Sequence, residues 1–273
     1  MIDIRPSGDN QYTFEDLLEI MAALRSEEGC PWDREQDHTS LKNAAVEEAY
    51  ELVEAINNKD NKNIQEELGD LLLQVVFHSQ IAGEAGTFSL GDVIDGIASK
   101  LVFRHPHVFG SEEVEDAQEV LHNWDALKLK EKAITSVTQD IKQVPLALPA
   151  MIKSRKVQKK VAKVGFDFAS TEEVMSKMDE ELAELRSALA LGDAQGIEEE
   201  FGDLLFNMVN LSRFLGLNPE NTLTNALEKF ITRFEGIENL ATASNKDLTA
   251  LSPVELDNLW NTIKRTNSRV SDC

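Results

Sequence analysis

The chain has two cysteines in 273 residues, Cys30 and Cys273, which is too few to suggest a disulfide framework. Proline and glycine are sparse and helix formers abundant, so the expected fold is all-α. No long hydrophobic run occurs. The most apolar stretch, Leu71 to Phe77, is interrupted by Gln74 and flanked by Asp70 and His78, so it reads as a buried helix and no membrane partner is expected. No N-terminal signal peptide is visible, which leads to the expectation of a cytoplasmic enzyme. Basic charge is also scarce: 27 Lys and Arg stand against 49 Asp and Glu, a net charge of -22. Binding a nucleic-acid polymer relies on basic surface, so that partner is not expected, whereas a nucleotide can reach carboxylates through a metal. The glycine-rich GxxxxGK[ST] phosphate loop is missing, and Asp37-His38 runs in the wrong order for a His-Asp phosphohydrolase motif.

What the chain does have is a copy of itself. Glu47 to Gly83 recurs without a gap at Glu180 to Gly216, offset by 133 positions, with 16 of 37 residues identical. Helical periodicity runs over about Ser40 to Ile56, Ile64 to Ala82, Thr171 to Leu191 and Ile197 to Leu215, and Ser170 with Glu173 has capping-box spacing. The expected organisation is an N-terminal domain over 1–135, a linker over 136–150 containing two prolines, and a C-terminal domain over 151–273. Each repeat is two helical stretches around a polar turn, Asn57 to Asn63 in the first and Gly192 to Gly196 in the second.

Within each repeat the sequence reads EExxE and then ExxD. Glu47, Glu48 and Glu51 match Glu180, Glu181 and Glu184; Glu67 and Asp70 match Glu200 and Asp203. Acids three and four apart share a helix face and repel by a few tenths of a kcal/mol per pair, so something must offset them. Folding the first repeat as a hairpin about residue 59 sets Glu51 opposite Glu67 and Glu48 opposite Asp70. Folding the second about residue 192 sets Glu184 opposite Glu200 and Glu181 opposite Asp203. Four hard oxygen donors without Cys or His suit Mg²⁺, or Mn²⁺ as a substitute, better than zinc. Mg²⁺ keeps sites for water and phosphate, which implies a phosphorylated substrate. A solvated acidic face is the plain alternative, and the exact repetition argues against it.

Cations that could meet phosphate are fewer. A KxxxR pair follows each acid cluster, Lys100 with Arg104 and Lys229 with Arg233. Trp260 could stack on a base or anchor the last helix. Lys153, Arg155, Lys156, Lys159, Lys160 and Lys163 form a basic run that is either a solvated face or an aid to attracting phosphate. Residues 1–135 carry a net charge of -17 and 136–273 one of -5, so the second half should hold an anion more easily. His105 and His107, flanking Pro106, read as structural.

The segments GCPWDREQ (29–36), VEEAYELVEAI (46–56), EELGDLLLQVVFHSQIA (66–82), RHPHVFG (104–110), VGFDF (164–168), EEEFGDLLF (198–206) and EKFITRF (228–234) resemble the MazG family of nucleoside triphosphate pyrophosphohydrolases in its two-domain bacterial form. The resemblance implies helical hairpins that pair in a homodimer, and Mg²⁺-dependent cleavage of nucleoside triphosphates between the α and β phosphates. Broad base tolerance and a nucleotide-pool cleaning role go with it. It implies metal ligands at Glu181, Glu184, Glu200 and Asp203, with Glu180 as the residue that orients or deprotonates water. Nucleotide contacts are implied at Lys177, Lys229, Arg233 and Trp260, and a second metal site at Glu48, Glu51, Glu67 and Asp70. Leu227 departs from the polar Asn expected two residues before the Lys.

Two other readings compete. A di-iron or di-manganese carboxylate bundle also gathers Glu on facing helices but needs two ExxH motifs, and this chain has one, Glu119 to His122. A non-catalytic helical nucleotide-binding scaffold or sensor would share the site without turnover.

Overall fold

A computed structural model of the chain describes residues 4–6 and 11–270, the side chains of 121–122 and 266–270 excepted. Among the described residues there are thirteen α-helices and no strand. The chain divides into two compact units, 1–128 and 129–273.

The first unit holds α1 (Phe14–Arg25), α2 (Pro31–Glu35), α3 (Ala44–Asn58), α4 (Asn61–Glu84), α5 (Leu90–Arg104), α6 (Pro106–Phe109) and most of α7 (Ala117–Glu131). Its centre is the α3–α4 hairpin with α1 and α5 packed on α4. The turn is tighter than the polar segment 57–63 suggests. Lys59 ends α3 in the left-handed region at φ 55°, and the Asp60 carboxylate caps α4 by accepting from the Lys62 and Asn63 N–H groups. Buried Met21, Leu41, Val76, Phe77 and Ile81 form a core between α1 and α4, joined by Leu17, Leu18 and Leu73. Burying a side chain of this size contributes about 1.5–3 kcal/mol.

The second unit holds α8 (Val137–Lys142), α9 (Ala150–Ala162), α10 (Thr171–Leu191), α11 (Ala194–Phe214), α12 (Pro219–Ala243) and α13 (Pro253–Val270). The α10–α11 hairpin repeats the first, with Gly192 at φ 67° where the first repeat has Lys59, and Asp193 capping α11 through the Gly196 N–H. A Cβ at Gly196 would stand 2.7 Å from Asp193 Oδ2, a contact the carboxylate can relieve by rotating, as the Asp60 cap does with Asn63 at the matching position. The expected capping box at Ser170 is half formed. Ser170 Oγ accepts from the Glu173 N–H, while the Glu173 carboxylate turns one residue back to the Ala169 N–H.

The segment 136–150, read as a linker, contains α8 packed on α9 within the second unit. Ser136 caps α8 and an Asp140–Lys160 ion pair ties it to α9, so local polar bonds order a segment with little apolar pattern. Lys160 is thereby spent on structure. Cys30 is a half-buried free thiol, and Cys273 lies outside the described residues.

Candidate metal and nucleotide site

In each hairpin the turn places the two acidic helices face to face. Carboxylate oxygens of Glu48, Glu67 and Asp70 all lie within 4.8 Å of one another, and so do those of Glu181, Glu184 and Glu200. Three of the four acids expected in each repeat therefore converge. The fourth, Glu51 in the first and Asp203 in the second, is exposed beside its group. Glu51 still contributes to the field that raises Glu67, and Asp203 lines the adjoining cavity.

The repeats bury different members. Glu67 on α4 is 7% exposed, whereas in the second repeat Glu181 on α10 is 4% exposed. Burial pushes the Glu67 carboxyl up, with Glu51, Asp70 and Glu48 adding repulsion. Burial also raises Glu48, with Asp70 and Glu51 adding to it, and it raises Glu200 beside Glu184 and Glu181. Glu67 Oε2 is buried without a hydrogen-bond partner. A buried orphan oxygen among converging carboxylates fits a hard divalent cation, which would supply both the missing partner and the missing charge.

The second repeat has a cation of its own. Lys177 Nζ lies 2.8 Å from Glu180 Oε1 and 2.8 Å from Glu181 Oε1, and these bonds hold its ammonium well above the usual lysine range. The matching position in the first repeat is Ala44. Asn207 Nδ2 reaches Glu181 Oε1 at 3.4 Å, at the long end for a hydrogen bond.

A cavity of about 700 Å³ opens beside this cluster. Lys177, Glu181 and Asp203 stand at one side of it; Val157, Val161, Phe166, Phe168 and Phe206 supply apolar walls. Lys229, Arg233 and Trp260 do not line it. Instead, Arg233 lies over the Trp260 ring at 5.7 Å and Trp260 packs on Phe230 at 5.2 Å, which ties α13 to α12. Arg233 Nε is buried without a partner.

Sequence reading overlooked a counterpart of this group. In the first unit Arg104 lies over Trp124 at 5.7 Å, and His105 meets the same ring edge-on at 4.7 Å. A KxxxR helix followed by tryptophan on the next long helix is common to both repeats. The signal was available: Trp124 lies 20 residues after Arg104, and Trp260 27 after Arg233. Packing against Trp124 also accounts for His105 as a structural residue.

The family model described as the MazG nucleotide pyrophosphohydrolase domain matches twice, over residues 36–109 and 169–237. A nucleoside triphosphate pyrophosphohydrolase/pyrophosphatase MazG of Thermotoga maritima is 45% identical over 92% of this chain and 95% of its own length. A nucleoside triphosphate pyrophosphohydrolase of Escherichia coli K12 is 40% identical over 91% of this chain and 96% of its own. Bacillus subtilis YabN, an uncharacterized protein, is 43% identical over 94% of this chain, which covers 53% of the longer relative. Two domain matches that each contain one acid hairpin, together with identity along nearly the whole length, establish that this chain belongs to the MazG nucleotide pyrophosphohydrolase family.

Proposed function

We propose that the chain hydrolyses nucleoside triphosphates between the α and β phosphates, yielding a nucleoside monophosphate and pyrophosphate with Mg²⁺ held by the hairpin carboxylates. The observation that carries this reading is the convergence of three carboxylates within 4.8 Å in each hairpin, repeated on a gapless duplication. Bound Mg²⁺ would neutralise phosphate oxygens and activate water, the usual contribution of such an ion to phosphoryl chemistry. Glu181, Glu184, Glu200 and Asp203 would hold it in the second repeat, and Glu48, Glu51, Glu67 and Asp70 in the first. Lys177 sits where an ammonium can meet phosphate charge that the metal leaves uncovered. Glu180 is exposed, with one oxygen on Lys177, and is assigned to orient the attacking water.

Completion of the site calls for a second copy. Lys229, Arg233 and Trp260 lie off the cavity within one chain, and a homodimer is the arrangement that would deliver them to it. Two features support an unmet partner. Val93, Ile94, Ile97, Leu101 and Val102 on α5, and Leu223, Leu227, Phe230 and Ile231 on α12, are all exposed. Gly69 and Gly202 sit inside helices at matching positions, where glycine costs about 1 kcal/mol against alanine, yet a Cβ on either would meet nothing within 4 Å. Nothing within the chain requires those glycines, whereas close approach of another molecule would.

The test is a product assay on the full chain with Mg²⁺ and a panel of nucleoside triphosphates. Monophosphate plus pyrophosphate, abolished by chelator, is the expected outcome. Diphosphate plus orthophosphate would place the cut at another bond, and binding without turnover would favour the sensor.

A further inference from the structure

The two repeats use the same hairpin face in opposite ways. On α4 the residues Leu73, Phe77 and Ile81 turn into the dry core with Met21 and Leu41. The α11 residues that match Leu73, Gln74, Phe77 and Gln80 are Phe206, Asn207, Asn210 and Arg213, and these line the cavity beside the acids. Phe77, 4% exposed, is replaced by Asn210, and the space that a phenyl ring fills in the first repeat is open in the second.

One wall of this cavity is a buried amide. Gln158 on α9 is 3% exposed; its Nε2 donates to the Phe206 carbonyl at 2.8 Å, which fixes the amide so that Oε1 is its free end. Oε1 is buried and accepts no hydrogen bond. Leaving such an acceptor unpaired costs free energy unless something brings it a donor. Further along, Asn210 Oδ1 accepts from Arg213 Nε at 3.1 Å and Nη2 at 2.7 Å, and Arg213 is held in turn by Asp167, with Nη1 at 2.9 Å from Oδ2. Phe166, 79% exposed in the loop after α9, is a free aromatic face among the residues around the cavity.

Flat apolar walls, an aromatic face and one fixed acceptor match a planar heterocycle with an N–H on its edge. Resting on the triphosphate reading, we propose that this cavity holds the nucleobase and that Gln158 is a specificity-determining residue, its Oε1 accepting from a base N–H. The first repeat, with the corresponding space packed by Phe77, reads no base.

The experiment compares kcat/KM on a nucleoside triphosphate panel and on ribose 5-triphosphate, which carries no base, for the full chain and for Gln158→Leu. Loss of one buried hydrogen bond should lower kcat/KM for the preferred triphosphates about tenfold, compress the differences among bases, and leave ribose 5-triphosphate unchanged. Val161→Phe, which fills the cavity from its apolar wall, is read alongside in case Gln158→Leu folds poorly; it should reduce turnover of base-bearing substrates alone. The proposal is overturned if both well-folded variants keep the wild-type base ranking, or if base-bearing and baseless substrates lose equally. Failure of the functional reading looks different: the wild-type protein would then release pyrophosphate from no triphosphate.

Discussion

Glu184 and Glu51 occupy the same place in the two repeats, yet their neighbours differ. Beside Glu184 stands Glu181 with its Lys177 partner, whereas the first repeat has Ala44 and no ammonium at that position. A triphosphate approaching the first cluster finds no counterpart of Lys177 there, in a half of the chain with net charge -17. Glu184→Gln should therefore reduce turnover on the order of a hundredfold, as removal of a strong electrostatic contributor does. Glu51→Gln should leave most activity intact. Steady-state kinetics on the matched pair checks this, and equal losses would make the two sites equivalent. Acid pairing was legible in the sequence because hairpin register alone sets which helical positions face each other. Which acid is buried was not, because that depends on what packs behind each helix.

At the level of elements, the hairpin turns carry a natural experiment. Lys59 holds the left-handed conformation that Gly192 holds in the second repeat, φ 55° against 67°. A side chain in that region costs roughly 1 kcal/mol, partly offset by the greater freedom of glycine in the unfolded chain. Lys59→Gly should thus stabilise the protein by on the order of 0.5 kcal/mol, and Gly192→Ala should destabilise it by about 1 kcal/mol. Chemical denaturation of both variants measures the two signs.

The entry into α13 is tied by Glu255. Its carboxylate accepts from the Ser252 N–H and from Lys246, and these partners lower its pKa to about 2. A carboxyl depressed by folding contributes its stability above the unfolded value of 4.5 and loses it as pH falls toward 2. Glu255→Gln should consequently melt below the wild type at pH 7, with the gap closing between about pH 5 and pH 2. Melting curves across that range test the sign.

For the whole molecule the open question is assembly. Of the apolar residues on the acid-bearing helices, Val76 and Val209 are buried within the chain, whereas Val75 and Leu205 remain exposed at 45% and 41%. Together with the bare faces of α5 and α12, they leave more apolar surface than a stable monomer usually shows. Sedimentation at micromolar concentration should give a dimer. Gly202→Ala, which meets nothing inside the chain, should shift that equilibrium toward monomer without lowering helix content. An unchanged dimer would assign Gly202 no part in it.

Sequence by itself determined the all-α class, the duplication, the hairpin register and the convergence of three of the four acids in each repeat. Each follows from helical periodicity and from the distance along the chain to a turn, which are local quantities. Lys177 entered from the sequence only as a nucleotide contact implied by resemblance; its ion pair with Glu181, four residues on along one helix, is what the structure adds. Tertiary structure decided what local rules cannot. It ordered 136–150 through α8, set Trp124 beside Arg104, and packed Phe77 into a core where Asn210 borders a cavity. Burial and cavities depend on which helix lies across from a residue, and two repeats with the same acid pattern can surround it with different partners.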